Sequence, residues 1–375
     1  MSLGKTLSLL LTLIFAATLC FGQSLLTTVP IANYPQALAV NAFTNRVYVI
    51  VESANQVTEI DGLTNIATTI PLGVNSQASL NGAIAVNPLT NTIYAVDGVN
   101  NHLSIIDGFT RTVTQIPVGN APVAVVVNPF TNTIYVANSS DNTVSVINGL
   151  TLGTSTVAVG NGPMSLAIDT AQNKVYVANF YDSTLSILSP RSTATVSVGL
   201  HPVAVAVNRN THTAYSVNRD ANTVTVVDSG AVAATIATGS TPFGIAVNTL
   251  TNKTYVVNLG SNSVTVLDGR TNTTTTVAAG AQPGSVVVDE LRNLIYVENG
   301  NGPCLTAIDG KTNATTTIGD AGLGANSIAV NVFTNRVYIT MAYPTGSNVA
   351  VFSGVNRMFS PALLDELMGP VNAVK

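Results

Sequence analysis

No tryptophan occurs in the 375 residues, only two cysteines and three histidines do, and charged side chains make up 9% of the chain. Each scarcity closes off a class of explanation. Cys20 falls in an N-terminal apolar leader, so the chain after it holds Cys304 alone and no internal disulfide can staple it. A buried, inert thiol is the expected state of Cys304. His102, His201 and His212 fall in loops that cannot all share one face, so they read as solvated histidines rather than a metal centre. The net charge of −4 is too small to argue for or against nucleic acid. Beyond the leader there is no second long apolar stretch, hence no expected transmembrane span once the leader is removed. G-x-S-x-G, C-x-x-C, H-E-x-x-H and P-loop motifs are absent. The Asp-Gly pairs lack calcium-loop spacing, and the glycine-rich turns lead into strands rather than into the helix start that would cradle phosphate. No catalytic residue and no cofactor is assigned, and a metal site is left open.

What is present is repetition. Tyr48, Tyr94, Tyr135, Tyr176, Tyr215, Tyr255, Tyr296 and Tyr338 follow one another at intervals of 39 to 46 residues. Around them recur TNRVYVIV, TNTIYAVD, TNTIYVAN, QNKVYVAN, THTAYSVN, TNKTYVVN, RNLIYVEN and TNRVYITM. A short apolar strand precedes each tyrosine, an alternating strand follows it, and a fourth comes in most units. Val144 and Val146 against Ser145 have a period of two, the mark of a strand. Four short strands in roughly 40 residues describe a propeller blade. Within it the tyrosine ring is expected at the interface between blades.

The strands of a unit are lettered A to D from the axis outward. The eighth unit ends at 347–354 with no strand D, while the segment TTVPI at 27–31 resembles the D strands TTIPL and TQIPV and has no unit of its own. Donating it to the last blade closes the ring and removes two open edges. The expected fold is therefore all-β, an eight-bladed β-propeller of four-stranded blades closed by an N-terminal strand, with seven blades as the alternative. The G-x-x-P spacing that starts at Gly119, Gly160, Gly199, Gly239 and Gly280 is read as the D-to-A link, with glycine supplying positive φ. The Asp-Gly pairs, with Asn148-Gly149, are read as C-to-D hairpin turns.

Three segments are expected. Residues 1–22, with Lys5 and an apolar run at 7–21, read as a signal peptide, so the mature chain begins near Gln23 in an exported compartment, periplasmic, cell-surface or secreted. Leu19 is too large for a good lipobox before Cys20. Residues 23–356 form one propeller domain. Residues 357–375 form a tail in which Ser360 caps, Pro361 starts and Gly369 stops a short helix with Leu363, Leu364 and Leu367 on one side. That helix either lies on the propeller or serves as a docking peptide or plug.

The phrases YVAN, YVVN and YVEN, each followed by an alternating strand, resemble the YVTN-type β-propeller repeats of surface-layer and YncE-like periplasmic proteins. The resemblance covers about residues 25–356. It implies an exported propeller of seven or eight blades and no catalytic residue, because the motif is structural.

Sorting charge by loop separates two faces. The B–C and D–A loops of the upper face carry Glu52, Asp97, Asp141, Asp182, Asp220, Glu298 and Asp320 against Arg219 alone. The lower loops carry ten basic and eight acidic residues. Three residues after the tyrosine stand Asn138, Asn179, Asn218, Asn258 and Asn299, with Asp97 at that register in the second unit. Two readings follow: each Asn ends strand B and bonds its own turn, or Asp97, Asn138, Asp141, Asn179, Asp182, Asn218, Asp220, Asn258 and Asn299 ring the channel mouth for a polar ligand, a cation or a basic protein patch. The leading functional expectation is a binding or scaffold protein whose partner is an unknown protein or polar small molecule. The rivals are a metal-assisted propeller lyase or lactonase-like hydrolase, and nucleic-acid binding on the lower face. There Phe43, Phe130 and Phe333 read as turn-packing residues.

Overall fold

A computed structural model describes residues 24–32, 34–51, 54–73, 83–319, 324–342 and 347–354. The leader, the tail helix, Glu52 and Asp320 lie outside the described residues. The strands form eight four-stranded antiparallel sheets. Blades 1 to 7 span 35–71, 84–117, 122–158, 163–197, 202–237, 242–278 and 281–318, and blade 8 spans 325–353 plus 25–30. The count is eight, not seven.

Composition sets each strand's place. In blade 3, strand B (Thr133–Asn138, TIYVAN) is buried on both faces after its first residue, so both faces are apolar or small. Strand D (Thr154–Ala158, TSTVA) buries none of its residues fully and is rich in Ser and Thr. Strand A lies innermost, and each strand A sits against the strand A of the next blade from blade 1 round to blade 8 and back. The N-terminal strand Leu25–Pro30 pairs with Asn348–Ser353, with Val29 opposite Val349 and only 3% exposed. The ring is closed as expected, and the prolines end the outermost strands, where no ladder donor is lost.

The core is eight clusters, one per seam. Tyr94 packs with Val125 and Ile134 of the next blade, Tyr255 with Ile295 and Val297, and Tyr338 with Val47 and Val49 across the closure. All eight repeat tyrosines are buried, which makes Tyr→Ala worth about 3–5 kcal/mol at any seam.

One turn reading needs correction. The D–A glycines do not carry the positive φ; the third residue of the link does, at Ala121, Gly162, His201, Thr241 and Gln282. Glycine is required at 160 because a Cβ would lie 2.6 Å from Asn179 Nδ2, and the other four links repeat the collision with the Asn that ends strand B. The Asp-Gly pairs do form the C–D hairpin turns, with more than two residues in the loop. Asp61 Oδ1 accepts from the N–H groups of Leu63 and Thr64, and the left-handed residue is Asn65. Gly149 N–H donates to Asn132 O at 2.8 Å, an approach that leaves no room for a side chain.

A polar belt joins the blades below. The residue ending strand A is Asn or Asp in every blade and buried. Its Nδ2 donates to the A–B-turn Asn of the next blade in Asn41–Asn91, Asn87–Asn132, Asn128–Asn173, Asn208–Asn252, Asn248–Asn293 and Asn331–Asn45, at 2.7–2.9 Å. Between blades 4 and 5 the pair is Asp169 with His212 Nδ1 at 2.7 Å. Between blades 7 and 8, Arg292 bridges Asp289 and Val332 O.

Candidate functional site

The B–C and D–A loops share the upper face, and the nine sequence-selected residues divide there into two sets. Asn138, Asn179, Asn218, Asn258 and Asn299 are at most 1% exposed. Each donates through Nδ2 to strand C hydroxyls, as Asn179 does to Thr184 at 3.0 Å and Ser186 at 2.9 Å. Asn138, Asn179 and Asn258 leave Oδ1 buried without a partner. Asp97 is buried too and closes its own turn through the N–H groups of Val99 and Asn100. Glu298, counted with the rim acids, is 2% exposed and accepts from Ser285 N–H at 3.1 Å. Burial pushes its carboxyl up to about 8.

The acids that reach solvent are Asp141, Asp182 and Asp220. Asp141 accepts from Asn120 N at 2.7 Å and Nδ2 at 2.8 Å, and those bonds hold its carboxyl below the usual range. Asp182 accepts from Asn161 N at 2.6 Å. In each blade this carboxylate ties the B–C loop to its own D–A link.

Asp220 differs, because it belongs to a cluster. Arg219 Nε donates to its Oδ1 at 2.7 Å, and His201 Nδ1 lies 2.5 Å from its Oδ2. The guanidinium first, then the imidazole, lowers Asp220 to about 2. The His201 ring stacks on Phe180 with centroids 4.4 Å apart and 13° between planes, and Arg219 Cζ lies 5.0 Å from the Phe180 centroid. Tyr181 meets Phe180 edge-on at 5.1 Å and is 68% exposed. Its ring lies over Gly162, where a Cβ would strike it. Met164 at the head of strand A of blade 4, Leu200 in the adjoining link and Phe243 at the head of strand A of blade 6 add exposed apolar surface on the same face. The result is a rigid aromatic and guanidinium platform on blades 4 and 5, which repeat-level counting of acids and amides overlooks. Its signal is a departure from the repeat: the unit that reads YVANSSDN in blade 3 reads YVANFYDS in blade 4.

Comparison with solved structures places the ring among known folds. The C-terminal WD40 domain of Sif2 superposes with a TM-score of 0.71 at 12% identity, over 89% of this chain and 99% of that one. Kuenenia stuttgartiensis hydrazine synthase gives 0.59 at 16% identity over 76% and 98%, and a streptogramin B lyase 0.58 at 11% over 74% and 93%. The chain is an eight-bladed β-propeller. No family model and no curated protein sequence matches it.

Among the described residues of this propeller, no three or more His, Cys, Asp or Glu side chains gather as a metal site would. Among the described residues, no helix is long and apolar enough to cross a membrane. In the channel, a cavity of about 390 Å³ between the A strands of blades 1, 6, 7 and 8 is lined by Val40, Val247, Val287 and Val330, with Glu290 among them. Six of the ten lower-face bases are engaged: Arg46 and Arg111 on Glu59, Arg209 on Glu290, Arg292 on Asp289, and Arg336 and Lys253 on the carbonyls of Gly62 and Gly310. Phe43, Phe130 and Phe333 do not pack into turns. They are 63%, 75% and 56% exposed, with Phe43 and Phe333 in contact at 5.6 Å.

Proposed function

We propose that this chain is an exported, YVTN-type binding or scaffold propeller that engages a protein partner through the blade 4–5 platform of its upper face. The carrying observation is the Phe180–His201 stack with Arg219 on the same ring and Tyr181 exposed beside it. Tyrosine and arginine are the side chains that most often anchor protein interfaces, and here their own contacts hold them in place before any partner arrives, which lowers the entropy lost on binding. Asp141 and Asp182 carry negative charge beside the platform, so a partner with an apolar or aromatic anchor flanked by basic residues complements it. Selection from a random peptide library tests this. Selected peptides should lose binding to Tyr181→Ala and Arg219→Ala while binding Phe130→Ser unchanged. Peptides indifferent to both upper-face substitutions would end the proposal. Export is tested separately, by N-terminal sequencing of the mature chain, expected to begin near Gln23.

The His201–Asp220 pair supports a second reading, an enzyme of the lyase or lactonase-like hydrolase class in which a carboxylate orients a histidine base. Turnover of an ester or lactone panel that disappears in His201→Ala would favour it.

A further inference from the structure

We propose that residues 355–375 fold back onto the lower face of their own propeller and seat the apolar side of the 360–369 segment on a crown formed by Phe333, Phe43, Leu89 and Phe130. These four occupy one repeat position, the middle of the A–B turn, in blades 8, 1, 2 and 3 in succession, and Leu250 and Leu291 extend the run back into blades 6 and 7. Leu89 is 57% exposed, and the phenylalanines are comparably open. The fold does not demand them. The same position holds Ala171 in blade 4 and Asn210 in blade 5 with the turn unchanged, because the turn is held by the residue ending strand A, as Asn128 Oδ1 accepts from Phe130 N–H and Asn208 Oδ1 from Asn210 N–H. Six large apolar side chains in an unbroken arc, where the fold needs none, mark a surface that is covered.

The path of the chain identifies the cover. Strand C of blade 8 runs down to Ser353, and Gly354 N–H donates to Asn335 O at 2.7 Å, two residues from Phe333. The chain therefore leaves the last described residue on the lower face, at a blade in the middle of the apolar arc. The next residues, VNRMFSPALLDELMG, contain Phe359, Leu363, Leu364 and Leu367 on a helical spacing. Five linking residues span up to roughly 17 Å, enough to carry the segment inward from Gly354. An intramolecular cover has a high effective concentration, so a short segment suffices.

The test uses the full mature chain and an environment-sensitive apolar dye. Leu363→Asp, Leu364→Asp and Leu367→Asp together should raise dye fluorescence several-fold with an unchanged melting temperature. Adding Phe43→Ser and Phe130→Ser should abolish the rise; both positions are exposed, so the fold tolerates the change. The inference fails if dye binding is equal in wild type and the tail variant. It also fails if the rise survives the crown substitutions, or if light scattering shows a dimer in both, which would make a second copy the cover. Loss of upper-face peptide binding would leave these outcomes untouched.

Discussion

Replacing Glu298 by Gln should make the propeller more stable at pH 8 than the wild type while leaving it about as stable at pH 5. Glu298 stands two residues after Tyr296, where six other blades have Ile50, Val96, Ala137, Ala178, Val217 and Val257 and blade 8 has Thr340. It is 2% exposed and accepts a hydrogen bond from the N–H of Ser285. Burial disfavours the ionised form and moves the carboxyl from 4.5 to about 8, against a smaller opposing pull from that N–H. The folded-state value lies above the unfolded one, so the folded chain holds the proton more tightly. Its contribution is full below the unfolded value, falls through the window from 4.5 to about 8, and is constant above that. The slope in that window is about 1.4 kcal/mol per pH step, and the whole span is at most about 5 kcal/mol. Glutamine keeps the shape without an ionisable proton. Urea melts of both proteins at pH 5, 6, 7 and 8 should diverge progressively, by about 2–4 kcal/mol at pH 8. Parallel curves across the range, or a variant weaker at every pH, would show that Glu298 is ionised and solvated in the folded state and would refute the reasoning.

Gly160→Ala should destabilise by about 1–3 kcal/mol, since its Cβ meets the buried Asn179 amide, whereas Gly153→Ala, whose nearest neighbour is a Thr151 hydroxyl at 3.4 Å, should be near neutral; equal thermal shifts would contradict the packing account. Arg111→Ala removes two hydrogen bonds from Glu59, a carboxylate 2% exposed, and leaves only Arg46 at 3.7 Å. The expected loss is about 3 kcal/mol, largely restored in Arg111→Ala with Glu59→Gln, and a double variant as weak as the single one would show that the buried charge is not the cause.

The architecture was legible because its signals recur. A tyrosine that must bury a large ring at each seam fixes the blade period, and an orphan D strand at 27–31 facing a unit without one predicts the closure that Val29 makes with Val349. The site was less legible for the same reason. Repeat logic weighs what all units share, and the shared Asn138, Asn179 and their equivalents are shared because they brace strand C behind a glycine. Loop position alone placed Glu298 on the rim, yet a residue two after the tyrosine points inward, as the buried Ala137 and Val257 at that register do. The half-buried Phe180 and the exposed Tyr181 replace Ser139 and Ser140 of the preceding blade. A property that appears once in eight units is read by subtracting the consensus.

The belt under the blades has a consequence for how such a chain can change its length. In six of the eight joints each module offers one donor Asn to its successor and one acceptor Asn to its predecessor. Such modules have interchangeable connectors, so duplication or loss of one leaves every remaining connector matched. Asp169 with His212 is keyed differently, while Arg292 crosses the joint from blade 7 to the backbone carbonyl of Val332, an acceptor that any module offers. By these connectors blades 1, 2, 3 and 6 are interchangeable, whereas 4 and 5 are matched to each other. The polar underside thus sets which modules of this chain have matching joints and which pair does not.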